Sequence, residues 1–434
     1  MKAAPTRADM ARALFAHLEA EGVEYVVPGP EGDGDLDLVV APERLAEVPA
    51  ILGRFGARHG VRALQALRHE PGATYYALAW LGGDGLPRFL HPDISADYGH
   101  AGRRLIAART LLDGRRRAPP TVFAGAAPFV PAPAPAFLYY LVKKAEKGAI
   151  TAAHGAHLAA LVEAEPGAVT AILEGRIGDD LAQRTLAALQ AADRAGLAAL
   201  LPALRGAFRA GRPVAWAAEA RRRLGRIAHP TGLVVAVLGP DGVGKSTLIA
   251  GLAQALAPAF RATAMRHLRP GVLLGGRGAA TASPHGAAPR GALASAAKLA
   301  LFAADYWIGF VGDLGPRRVR STLIIFDRYL DDLAVDRRRY RLAAGAPARA
   351  FAALVPGPDV WLILDAPAAV VRARKPELER AAIERLRARY RVLTTGLPRA
   401  HVIDAARPTE AVVAEAAGIV LDHLARRFEA RHGG

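Results

Sequence analysis

Between Gly239 and Ser246 the chain reads Gly-Pro-Asp-Gly-Val-Gly-Lys-Ser, a spacing of glycines, lysine and hydroxyl that suits the cradling of a phosphate chain. The glycines let the backbone curl so that its N–H groups face an anion. In that arrangement Lys245 reaches the β and γ phosphates as a point charge, and the Ser246 hydroxyl is a ligand for the accompanying magnesium. Gly239, Asp241, Gly242, Gly244, Lys245, Ser246 and Thr247 form the candidate nucleotide-binding set.

The elements around this string must position it. Leu233 to Leu238 is wholly apolar, as a parallel strand buried on both faces requires. After Ser246, Leu248, Ile249, Leu252 and Leu256 recur at helical spacing, so the loop opens a helix whose free N–H groups and positive dipole end face the phosphates. A chance match in a glycine-rich chain is the alternative; the scarcity of lysine and the strand and helix on either side argue against it.

The chain has 434 residues, longer than one hydrophobic core usually spans, so two or three domains are expected. Its net charge of +17 is compatible with a polyanionic partner. The arginines are spread through helical segments, apart from 115–117, 221–223 and 337–339, and no nucleic-acid-binding signature accompanies them. A small anionic substrate explains the charge as well. Cysteine is absent, which excludes disulfides, thiolate metal sites and cysteine nucleophiles. The N-terminus shows no hydrophobic signal core, and the longest apolar stretch, Leu293 to Val311, is interrupted by Lys298 and Asp305. The expectation is a soluble cytoplasmic protein without a membrane span.

Three regions separate by pattern. Residues 1–118 alternate helix and strand signals and read as an α+β domain. Residues 119–227 begin with a Pro/Ala-rich stretch from Phe129 to Pro135, expected as a stiff linker, and continue as a helical region from Phe137 to Arg226. Residues 228–434 alternate short apolar strands, at Thr322 to Phe326, Val360 to Leu364 and His401 to Ile403, with helical segments. Such alternation argues an α/β fold with a doubly wound parallel sheet. Gly271 to Arg290 has neither period and is expected to be a loop near the site.

The C-terminal region resembles thymidylate kinase and its relatives. The resemblance rests on the loop Gly239 to Ser246, on Asp327-Arg328-Tyr329 closing one strand, on Asp365-Ala366-Pro367 closing another, on Phe302 to Asp305 and on Val402 to Ala405. The wording GPDGVGKST, FDRYLDDLAVDRRRYR, LDAPAAVVRARKPEL and RYRVL is similar to the thymidylate-kinase-like proteins associated with polysaccharide biosynthesis, some of which carry an N-terminal nucleotidyltransferase-like region.

The resemblance implies ATP and Mg2+ as cofactors, with Asp327 holding hydrated magnesium and Arg328 gripping the acceptor's phosphate through a bidentate guanidinium. An ordinary strand-end ion pair is the bland alternative for these two residues. Asp241 matches an acidic position near the transferred phosphate, against the alternative of a solvated loop aspartate. Arg372 and Arg374, ahead of Lys375, fall where the family carries a mobile lid whose arginines screen developing charge, and Arg374 is the candidate catalytic one. Departures accompany the match: Asp305 is followed by Tyr306, Asp331-Asp332 replaces small hydroxyl residues, and no thymine-reading pattern is evident. Arg269-Pro270 and Arg337 to Tyr340 remain candidates for lining an anionic acceptor's pocket.

A second signal is Gly32-Asp33-Gly34-Asp35-Leu36-Asp37-Leu38-Val39-Val40. In a strand, Asp35 and Asp37 point to one face and Leu36 and Leu38 to the other, a geometry suited to metal binding. The run resembles the paired-aspartate strand of DNA polymerase β-like nucleotidyltransferases, which places two magnesium ions. That resemblance implies a third carboxylate on a neighbouring strand, and Asp93 is the candidate. A Gly/Asp turn running into a strand of a domain that only binds or scaffolds is the competing reading.

The sequence thus points to an ATP- and magnesium-dependent phosphotransferase acting on a nucleotide or sugar phosphate, with a homodimer among the expected partners and nucleic acid disfavoured. A nucleotide-dependent switch or a scaffold of a glycan pathway is the rival, and the N-terminal region raises a second, nucleotidyltransferase activity.

Overall fold

The computed structural model describes residues 4–29, 34–119, 125–273, 288, 290–343, 345–376 and 379–432. The chain divides into two compact units: Met1–Trp80 with Phe89–Gly225 and Arg427–Gly434, and Leu81–Arg88 with Arg226–Arg426.

The first unit is built on a mixed sheet with strands in the order Tyr25–Val26, Leu36–Val40, Pro92–Ser95, Ala73–Leu81 and Arg62–Glu70. Leu36–Val40 and Pro92–Ser95 run parallel, and the other pairs along this path are antiparallel. Pro92 is the first residue of its strand, a place that asks for no ladder donor. Leu38, Val40, Ile94 and Leu78 face a core shared with Leu14 and Leu18 of the helix Arg7–Ala20 and with Ile51 and Phe55 of Val48–His59. Thr6 caps the first of these helices through a reciprocal pair with Asp9.

The same unit contains the helices Pro133–Lys147, Ala152–Ala164, Pro166–Ile177, Asp179–Gln190 and Arg194–Arg209. Phe137, Leu138 and Leu141 of the first pack with Leu158, Leu173, Leu186 and Leu204 of the others, each apolar side chain contributing about 1.5–3 kcal/mol on full burial. The stretch expected as a linker is ordered otherwise. Phe129–Val130 pairs antiparallel with Arg116–Arg117, and Pro133 opens the helix that follows. Proline at a helix's first turn lacks only a donor that would go unpaired there, so the Pro/Ala composition marks a helix start.

The second unit is a five-stranded parallel sheet in the order Ala262–His267, Thr322–Asp327, Leu233–Leu238, Val360–Asp365, Ala400–Asp404. Every residue of Leu233–Leu238 is buried, in keeping with its uninterrupted apolar run. The edge strand Ala262–His267, with its Arg, His and exposed Met265, escapes a reading based on apolar runs. From Leu233–Leu238 the chain goes to two strands on one side, Ala262–His267 and then Thr322–Asp327, and only afterwards crosses to Val360–Asp365 on the other, so the strand order reverses at the central strand, where sheets of this kind bind ligands beyond the strands' carboxyl ends. The helical run Ala292–Val319 is long and apolar enough to reach across a bilayer, yet Leu299, Asp305 and Tyr306 are buried within the unit. Most of the loop expected between Gly271 and Arg290 lies outside the described residues.

Candidate active site

The loop after Leu233–Leu238 runs straight into the helix Lys245–Leu256, as its sequence requires. Gly239 has φ of 144°, and a Cβ there would stand 2.7 Å from the Leu364 carbonyl oxygen, so only glycine fits. Gly244 caps the helix at φ of 111°. Ser246 and Thr247 lie exposed at the helix start, where the free N–H groups of the first turn gather.

Lys245 is buried, and its ammonium donates to the Gly239 and Pro240 carbonyls at 2.8 and 2.9 Å. Burial, reinforced by the positive charge of Arg328, pushes its pKa down to about 8, although Asp241, Asp327 and Asp332 pull the other way.

Asp327 ends its strand in register with Val237 on one side and His267 on the other. Its Oδ2 lies 3.2 Å from His267 Nδ1, whereas Oδ1 is buried without a hydrogen-bond partner. Burial would raise the Asp327 pKa, but His267, Lys245 and Arg328 together hold it below the usual carboxylate value. A buried, ionised oxygen with no partner, within electrostatic reach of Lys245, suits a hydrated cation, and Ser246 supplies an accessible hydroxyl. These residues fit magnesium.

Arg328 takes a left-handed backbone with φ of 74°, a conformation that costs a non-glycine residue about 1 kcal/mol or more. Its N–H donates to the Val237 carbonyl at 3.0 Å, which ties the turn to the central strand. Only 3% exposed, its guanidinium donates through Nη1 to Asp332 Oδ2 at 2.7 Å and through Nη2 to Asp241 Oδ1. Burial disfavours the charge, yet Asp332, Tyr340, Tyr390 and Asp241 outweigh it and keep the cation firmly protonated. The second oxygen of Asp241 accepts from Arg339 Nη1. Burial raises the Asp241 pKa, but Arg328, Lys245 and Arg339 bring it down to about 2.

Asp332, fully buried, is the hub of this network: it also accepts from Tyr340 at 2.6 Å and from the Tyr390 hydroxyl. The sequence marked the Asp331-Asp332 pair only as a departure, and nothing in its spacing announced that Arg339, Tyr340 and Tyr390 converge with it. His267 belongs to the strand that escaped notice.

Other candidates sit differently. Arg374 ends the helix Ala368–Arg374, and its Nη1 donates to the Val243 and Ala405 carbonyls at 3.0 and 3.1 Å. It borders a cleft of about 170 Å3 lined also by Gly244, Thr247, Arg407 and Val412. Asp365 is held by Arg387 and Arg391 at 2.6 and 2.5 Å. Asp305 is fully buried and accepts from Arg269 at 3.0 Å and from the Gly271 and Leu273 N–H groups at 2.8 and 2.7 Å.

In the first unit Asp37 and Asp93 lie side by side as register partners. Asp35 stands exposed, one residue ahead of the strand. Asp37 accepts from Lys143, and Asp93 Oδ1 lies 2.7 Å from His69 Nε2. Among the described residues, no three carboxylates or histidines come close enough to hold an ion. Lys143 and His69 take the places beside the two aspartates, and no metal-dependent step is derived for this unit.

No family model matches the chain. It is 31% identical over 215 residues to a thymidylate kinase of Xanthomonas campestris pv. campestris, an alignment covering 46% of this chain and 87% of the relative. It is 32% identical over 197 residues to a thymidylate kinase of Leifsonia xyli subsp. xyli, covering 42% of this chain and 92% of the relative. With a phosphate loop, a strand-end Asp-Arg pair and a five-stranded parallel sheet beside these matches, the chain belongs, over a little under half its length, to the thymidylate kinase family.

Proposed function

We propose that the second unit transfers the γ-phosphoryl group of ATP to a small phosphorylated acceptor, a nucleotide or a sugar phosphate. The observation that carries this reading is the strand-end Asp327, within electrostatic reach of Lys245, whose buried Oδ1 has no hydrogen-bond partner. The thymidylate kinase kinship supports the reaction class.

Catalysis in such a site is positioning and charge neutralisation. The N–H groups that open Lys245–Leu256 and the Lys245 ammonium hold the donor phosphates. The cleft beside Arg374 and Thr247 would receive the nucleoside end. Asp327 and Ser246 would hold magnesium, which when bound neutralises charge on the β and γ phosphates. Arg328, buried with its guanidinium on Asp332 and Asp241, would reach the acceptor's phosphate by exchanging its contact with Asp241, while Asp332 keeps the cation oriented. Asp332 occupies a position where the resemblance leads to a small hydroxyl residue, which supports an acceptor other than thymidylate. A phosphate oxygen on the acceptor is already anionic, so its attack requires no general base.

The test is an ATP-dependent transfer screen over nucleoside monophosphates, sugar phosphates and free sugars, comparing wild type with Lys245→Ala. One labelled product that disappears in the variant supports the kinase and gives its acceptor class. Hydrolysis of ATP with no acceptor used would instead favour the switch.

For the first unit we propose a nucleotidyltransferase-like module, supported by the side-by-side placement of Asp37 and Asp93.

A further inference from the structure

A second cleft in the kinase unit shares no lining residue with the phosphate loop. It has a volume of about 670 Å3 and lies among the segment that follows the helix Asp332–Val335, the helix Ala348–Ala353 and the helix Arg380–Thr394. Arg337, Arg338, Arg349 and Arg389 line it, and no described carboxylate does. Its remaining lining is apolar, with Val335, Leu342 and Leu393 buried in the wall and Val392 59% exposed.

Two features make this more than a basic surface. Arg389 donates to the Val335 carbonyl at 3.1 Å, which fixes one guanidinium across the cleft. The cations are arginines, whose forked donors match phosphate oxygens two at a time. Four arginines around one concavity raise the local concentration of anions. The volume falls in the range of roughly 300–1,000 Å3 typical of small-molecule sites. It greatly exceeds what a bare phosphate group fills, and the apolar wall gains nothing from an inorganic ion.

We propose that this cleft binds an organic diphosphate, its charged end on the arginines and its carbon body on Val335, Leu342 and Val392. The inference is independent of the phosphotransferase reading, since binding here requires neither Lys245 nor Asp327. The arginine–phosphate chemistry is common to nucleoside and isoprenoid diphosphates, and the body that prefers the apolar wall distinguishes them.

The experiment is a calorimetric titration of the full chain with uridine diphosphate, geranyl diphosphate and inorganic pyrophosphate, the phosphate loop being saturated with a non-hydrolysable ATP analogue. Wild type, Lys245→Ala and the double variant Arg338→Glu/Arg349→Glu are compared, the last two substitutions lying at exposed side chains. The expected result is that at least one ester binds more tightly than pyrophosphate, that the double variant weakens it by about tenfold or more, and that Lys245→Ala leaves it unchanged. Retained ATP-analogue binding in the double variant shows that it is folded; should it misfold, Arg338→Gln/Arg349→Gln takes its place with the same expectation. Equal affinity in the double variant, loss in Lys245→Ala, or pyrophosphate binding as tightly as both esters would overturn the proposal.

Discussion

Arg328 and Asp332, four residues apart, form an ion pair at 2.7 Å in which the arginine is 3% exposed and the aspartate fully buried. Breaking a buried pair from one side leaves the other charge unpaired, which costs about 3–5 kcal/mol. Asp332→Ala is therefore expected to lower the stability of the kinase unit by about that amount in urea unfolding. Tyr340→Phe and Tyr390→Phe each remove one hydrogen bond to the same carboxylate and should cost about 1 kcal/mol. Equal, small losses in all three variants would show that Asp332 is not the hub.

Asp327→Asn keeps the shape of the side chain and removes its charge. Phosphoryl transfer should fall about a hundredfold, with the magnesium concentration for half-maximal rate rising, while binding of an ATP analogue without metal changes little. An unchanged magnesium dependence would remove Asp327 from the metal's surroundings.

Lys245 titrates near pH 8 because its ammonium is buried and faces Arg328. Bound phosphates favour the charged form, so above this value nucleotide binding must take up a proton. Affinity for an ATP analogue should decline above pH 8, by up to about tenfold per pH unit, and binding there should consume protons in buffers of differing ionisation enthalpy. Lys245→Ala should show weaker binding with no such slope.

Burial, aided by the neighbouring Asp332 charge, raises the Asp331 carboxyl to about 6. Between its ordinary value of 3.8 and about 6 the folded protein holds a proton that the unfolded chain has released. The folded state thus binds more protons in that window, and stability falls as pH rises through it. Asp331→Asn should flatten this dependence and add up to about 3 kcal/mol at pH 7.5, read from urea unfolding at pH 5 and 7.5.

The parts of the site written in contiguous residues were legible in the sequence. Gly239 to Ser246 fixes its own loop, and the apolar run before it forces a buried parallel strand. Asp327 and Arg328 follow directly from another such run. What joins these parts was not legible, because Asp241, Arg328, Asp332, Arg339 and Tyr390 meet only through tertiary packing across some 150 positions of chain. Nor did the sequence show that Arg269, offered for an acceptor's pocket, donates to the buried Asp305, which also accepts from two backbone N–H groups. In the first unit the parallel strands bring Asp93 beside Asp37, the neighbour that the nucleotidyltransferase resemblance implied, whereas the answering cation, Lys143, comes from a helix 106 residues away.

The two carbonyl contacts of Lys245 give the phosphate loop a built-in threshold. An incoming anion must offer the ammonium more than Gly239 and Pro240 already do at 2.8 and 2.9 Å. A lone phosphate, meeting the helix N-terminus but a lysine satisfied elsewhere, gains little by displacing them. A tri- or diphosphate would engage the N–H groups and the lysine together, so these two contacts would favour longer phosphate chains over a single phosphate.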